Sequence, residues 1–122
     1  MSDMDARTLV EDVLANAVDD LVYEALVWTL AGRAGVLDPS VRRDLSVGLI
    51  AELLVSGLMI AGEYDGADHR AWDVTTGEAI VRITEDWLQW GESVPTPGSI
   101  VWLALTPAGK VLGEAVLARE SE

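Results

Sequence analysis

Between Ala6 and Leu30 the apolar residues fall in adjacent pairs four positions apart: Leu9/Val10, Val13/Leu14, Ala17/Val18, Leu21/Val22 and Ala25/Leu26. That spacing lays them along one helical stripe, with Glu11, Asp12, Asp19, Asp20 and Glu24 at its margins or opposite. A strict four-residue repeat drifts around an α-helix, and Asn16, Asp19 and Asp20 are good capping residues. The segment therefore predicts either one helix over Ala6–Leu30 or two that meet near Val18. Gly32 and Gly35 close it.

Asp38-Pro39 supplies an N-cap followed by a proline at the first helical position, where the missing N–H costs nothing. The helix it opens is expected over Pro39–Ser56. Plotted at ~100° per residue, Val41, Leu45, Val47, Leu49, Ile50, Leu53, Leu54, Val55 and Leu58 spread around most of the circumference. Such a helix is either central to the core or shared with a second copy of the chain. Gly57 is expected to stop it, and Leu58-Met59-Ile60-Ala61 reads as a short buried strand. The tract Glu63 to Trp72, rich in Asp and Gly, predicts a polar loop or wing tip. Thr75-x-x-Glu78 has capping-box spacing and opens a helix over Thr76–Trp90, on which Ile80, Ile83 and Trp87 share a core face. Gly91 and Pro95-Thr96-Pro97-Gly98 mark a loop and turn. Ile100 to Leu105 reads as a strand, expected antiparallel to Leu58–Tyr64. Thr106-Pro107 repeats the cap-plus-proline signature for a last helix, Pro107–Ala118, with Val111, Leu112, Ala115 and Val116 inward. No repeat or linker divides the chain, which reads as one domain.

The run Leu49-Ile50-Ala51-Glu52-Leu53-Leu54-Val55-Ser56-Gly57-Leu58-Met59-Ile60-Ala61-Gly62, followed much later by Leu105-Thr106-Pro107-Ala108-Gly109, resembles the helix-into-wing and wing-into-helix junctions of winged-helix proteins. The resemblance covers roughly the last two thirds of the chain. It implies an α+β, mostly helical, winged-helix-like domain with a small antiparallel β-hairpin and an extra helix inserted between the wing strands. Two departures stand out: no clear second helix precedes Asp38, and Thr76 to Trp90 interrupts the wing. The tract Trp72 to Trp102 is also similar to small bacterial proteins of no assigned function.

Charge changes the picture that the resemblance suggests. The 122 residues carry 21 acidic against 8 basic side chains, a net charge of −13, and Lys110 is the sole lysine. Winged-helix proteins use the helix before the wing to reach base edges and phosphates. Here only Arg42, Arg43 and Ser46, with Arg33 nearby, could do so. The expected wing tip sets Glu63, Asp65, Asp68 and Asp73 against Arg70 alone, a balance that repels a duplex. Half the residues are apolar and five are tryptophan, enough for a real core. No cysteine is present, which excludes disulfides and thiolate chemistry. The acidic start Met1-Ser2-Asp3-Met4-Asp5 is unlike a signal peptide, and the longest apolar run, Leu45 to Ala61, carries Glu52 and is too short to span a bilayer. A cytoplasmic location without membrane attachment is the expectation.

The chemistry of sites is sparse. One histidine and no cysteine leave no converging base, nucleophile and oxyanion donor, so an enzyme is not expected. Asp65, Asp68, His69 and Asp73 read as loop residues rather than a metal site, and no Walker or dinucleotide fingerprint implies a cofactor. The expected function is an acidic protein-interaction module, such as an immunity protein, an antitoxin or a DNA mimic, that binds a partner with a basic surface. Its candidate contacts are Asp19, Asp20 and Glu24 on the first helices, Glu63, Asp65, Asp68 and Asp73 at the wing, and Trp90 as an aromatic anchor. The alternative is a dimeric winged-helix transcriptional regulator that reads DNA through Arg33, Arg42, Arg43 and Ser46.

Overall fold

The computed structural model describes residues 6–121; the acidic start discussed above lies outside the described residues. The elements run α1 (Leu9–Ala17), β1 (Val22–Tyr23), α2 (Glu24–Arg33), α3 (Pro39–Val55), β2 (Met59–Tyr64), β3 (His69–Ala71), α4 (Thr76–Leu88), β4 (Trp102–Leu105) and α5 (Pro107–Glu120). The fold is α+β, about 54% helical among the described residues, with an antiparallel sheet in the order β1-β4-β2-β3.

The first apolar stripe is two helices, not one. α1 is opened by a capping box between Thr8 and Glu11, and it ends at Val18. The Asp20 carboxylate then accepts the N–H of Leu21 at 2.7 Å, a local turn that competes with the helical ladder. Val22 and Tyr23 extend to pair with Leu103 and Trp102, which puts the fully buried Val22 in the core. A separate helix, α2, therefore precedes Asp38, with residues 34–37 between them.

α3 begins as expected: Asp38 accepts from the N–H groups of Ser40 and Val41, with Pro39 behind it. It ends at Gly57 (φ 74°) in a Schellman motif, with Leu58 N–H on the Leu53 carbonyl and Gly57 N–H on the Leu54 carbonyl. Its apolar circumference is less used than the residue pattern implied. Leu49, Ile50, Leu53 and Leu54 face the core with Ser46, whereas Val41 and Val55 are exposed.

Of the two readings of the Glu63 to Trp72 tract, loop or wing tip, the structure has the hairpin, since β3 pairs with β2 through Gly62↔Ala71, Glu63↔Arg70 and Tyr64↔His69. β2 also pairs with β4, from Met59↔Leu105 to Gly62↔Trp102, as expected. α4 carries its capping box between Thr75 and Glu78 and buries Ala79, Ile83 and Trp87. α5 departs from expectation. Val111, Leu112 and Ala115 are exposed, and the helix turns Gly109, Gly113 and Val116 inward. A Cβ at Gly113 would stand 2.7 Å from the Leu14 carbonyl oxygen, so small residues set how closely α5 lies on α1. The clasp is reinforced by Arg7 to Glu120 (2.6 Å), Arg7 to Asp12 (2.8 Å) and Arg119 to Glu11 (3.0 Å). One continuous core runs from α1 through Trp28, Leu53 and Trp87 to Leu103.

Candidate functional site

Strand alternation gives the sheet two unlike faces. Val22, Met59, Ala61 and Leu103 point into the helical layer and are buried. Tyr23, Ile60, Tyr64, His69, Trp102 and Ala104 share the opposite face, and all are half-buried or exposed. On that face the Trp102 ring lies 5.0 Å from Tyr23 and 5.1 Å from Tyr64, both tilted. Gly62 makes room for this arrangement, because a Cβ there would meet the His69 ring at 2.7 Å. The His69 ring crosses Gly62 and donates from Nε2 to the Trp102 carbonyl oxygen at 2.9 Å. Between the Gly62 end of β2, the segment before β4 and α4 lies a cavity of about 230 Å³, lined by Glu63, Tyr64, Arg82, Asp86, Ser99 and Trp102, among others.

Trp102 is held in place by a residue assigned above to the surface. Glu24, expected to face a partner, is fully buried. Its Oε1 accepts the N–H groups of Ile100 and Val101, each at 3.0 Å, and Oε2 accepts those of Gly98 (2.8 Å) and Ala25 (3.1 Å). A buried carboxylate is tolerable with four amide donors and the N-terminal end of α2 around it. The stripe position of Glu24 gave no hint of this, since the donors come from a segment far along the chain.

The other predicted contacts divide similarly. Asp65 builds the β2–β3 turn: its Oδ1 accepts from Ala67 (2.9 Å) and Asp68 (2.8 Å), and Oδ2 from Arg70 (2.6 Å). Those bonds, the Asp68 amide first, then Arg70 and Ala67, hold its carboxyl well below the ordinary aspartate range. Glu63 leans on Arg82 at 3.4 Å, and Arg82 in turn stacks on Trp72 at 3.9 Å from its ring centre. Asp19, Asp20, Asp68 and Asp73 are exposed. Trp90, expected as an exposed anchor, is half-buried against the core.

The basic set proposed for DNA does not assemble. Ser46 is fully buried and gives its hydroxyl to the Arg42 carbonyl at 2.7 Å. Arg42 folds back over the Trp28 ring at 4.4 Å and donates to the Trp28 carbonyl at 2.8 Å. Arg43 is mostly covered and pairs with Asp44 at 3.2 Å. Arg33 alone of the four is exposed. The open positions of α3 are Val41, Asp44, Gly48, Glu52 and Val55, a stripe with two acids and no base. Among the described residues no three His, Asp or Glu side chains converge as a metal site, and no helix is long and apolar enough to cross a membrane.

Comparison with protein-family models, with curated proteins and with solved structures finds no match. No residue of the aromatic face was among the partner contacts expected from the sequence. The alternation of Trp102 and Ala104 against Leu103 and Leu105 was the available signal.

Two predictions follow from the buried and the capping carboxylates. Glu24→Ala leaves three distant amides without acceptors and should lower stability by about 3 kcal/mol or more, with Glu24→Gln in between. Urea unfolding measures this, and amide shifts of Ile100 and Val101 locate it. For Asp65 the folded-state value is depressed, so its contribution is present above the ordinary aspartate value of 3.8 and fades as pH falls below it. The Ala67 and Asp68 amide signals should therefore move in acid, and Asp65→Asn should abolish that movement.

Proposed function

We propose that this chain is an acidic protein-interaction module that docks on a partner with a basic surface. The observation that carries the reading is how the positive charge is spent. Arg7, Arg42, Arg43, Arg70, Arg82 and Arg119 are all held by carboxylates, a carbonyl or an indole ring of the same chain. Among the described residues only Arg33 and Lys110 lack such a partner. By contrast the side chains of Asp19, Glu52, Asp68, Asp73, Glu85, Asp86, Glu92 and Glu114 carry no ion pair or hydrogen bond among the described residues. The outward field is therefore negative and of long reach, which steers basic partners and repels phosphate.

The arrangement is winged-helix-like in a finer sense. Removing β3 and α4 leaves α1-β1-α2-α3-β2-β4-α5, with β1-β4-β2 as the sheet and α3 entering its hairpin. That order supports the resemblance, and with it the regulator reading. Against DNA stand the acidic stripe of α3 and the inserted α4, whose Thr84 and Leu88 lie beside Val47 and Gly48. An immunity protein, antitoxin or DNA mimic fits both the charge and the covered helix.

The test is affinity capture from the native host, then association kinetics of the captured protein at rising ionic strength. Steering over a Debye length of ~8–10 Å at 0.1–0.15 M salt should make the association rate fall steeply, and Asp68→Asn/Asp73→Asn should slow it further. An association rate indifferent to salt would reduce the acidity to a solubility feature.

A further inference from the structure

α5 packs chiefly against α1, and a groove of about 340 Å³ runs between the two helices. It is lined by Val10 and Leu14 of α1, by Leu58, and by Leu112, Ala115 and Val116 of α5, with the Glu11–Arg119 pair at one end. Glycine takes inward positions of α5, so its large apolar side chains are turned out. Val111 and Leu112 are 64% and 46% exposed, and Ala108 and Ala115 continue their stripe at helical spacing.

Charge shows what can cover this surface. Arg7, α1 and α5 together hold three of the eight bases and four of the 21 acids, so the ground is close to neutral in a chain of net charge −13. A second copy of the chain is repelled least there, whereas a strongly basic partner gains little from it. Lys110, the sole lysine, and Glu114 have no side-chain partner among the described residues, although they stand four positions apart on one flank of the stripe. Their order, lysine before glutamate, is the weaker one for a pair within a helix. Across an antiparallel contact centred on Leu112 the two charges lie equally far from the centre, so Lys110 of each copy faces the partner's Glu114. We propose that α5 and its groove form a self-association face: two copies pack their α5 helices antiparallel about Leu112, the apolar stripe of each covers the groove of the other, and two Lys110–Glu114 pairs flank the contact. A two-fold contact uses one patch twice, and this patch has apolar residues at its centre with opposite charges placed symmetrically about it. The inference goes beyond the acidic-module reading and does not rest on it.

Sedimentation equilibrium of the full chain over a range of protein and salt concentrations is the experiment. A dimer is expected, and it should tighten as salt rises, because screening relieves the repulsion between two chains of charge −13 while apolar burial persists. Leu112→Glu, with a native spectrum, should weaken it about tenfold or more. Lys110→Glu and Glu114→Lys should each weaken it about fivefold, and mixing the two variants should restore the affinity as a mixed dimer. Glu114→Lys is the sharper arm, since it lowers the net negative charge and would strengthen an association limited by repulsion alone. A monomer under every condition, a dimer indifferent to Leu112→Glu, or a dimer strengthened by Glu114→Lys would overturn the proposal and leave the acidic-module reading standing. If the chain stays monomeric and the partner captured from the host fails to bind Leu112→Glu, the groove belongs to that partner and not to a second copy.

Discussion

The Glu24 carboxylate does what a β-ladder does elsewhere. β1 is two residues long and β4 does not begin until Trp102, so the segment from Gly98 to Val101 has little sheet pairing to hold it. Glu24, the first residue of α2, takes up three of that segment's N–H groups and one of its own helix. Buried amides without acceptors would each cost about 1–3 kcal/mol, so a single side chain removes a penalty that would otherwise displace the strand. Ile100, Val101 and Leu103 then enter the core, and Trp102 emerges on the other face between Tyr23 and Tyr64. Core and candidate surface thus depend on the same carboxylate.

Electrostatics are organised by a similar economy. The net charge of −13 does not by itself distinguish function from solubility. Its placement says more. The clasp between α1 and α5 consumes Arg7 and Arg119, the hairpin consumes Arg70 and Arg82, and α3 turns Arg42 inward. Exposed ion pairs of this kind are worth little to stability, so their main effect is on the field that remains. That field is negative around the exposed Asp19, Asp68 and Asp73.

Helices α3, α4 and α5 were legible because each start is written locally, in Asp38-Pro39, Thr75-x-x-Glu78 and Thr106-Pro107. The Met59 to Leu105 pairing was legible from two apolar runs. β1 was not, because Val22 continues a helical stripe while serving as a core strand residue. β3 was hidden by its polarity: His69, Arg70 and Ala71 show no apolar alternation, although their backbone pairs with β2. α5 misled because leucine and valine outrank glycine as inward candidates, yet close approach to the Leu14 backbone demanded glycine. The candidate site was read least well. Glu24 looked like a solvated helix charge because its donors lie 74 to 77 residues further on. Ser46 and Arg42 looked available because the burial of one helix face depends on neighbours that no local pattern names.

Native-state hydrogen exchange of the Ile100 and Val101 amides tests the role of Glu24 most directly. If its carboxylate holds this segment as part of the core, both amides should exchange only through global unfolding, at the same free energy as the Leu53 amide of α3. Exchange of Ile100 and Val101 through a low-energy local opening, with Leu53 still protected, would contradict the account.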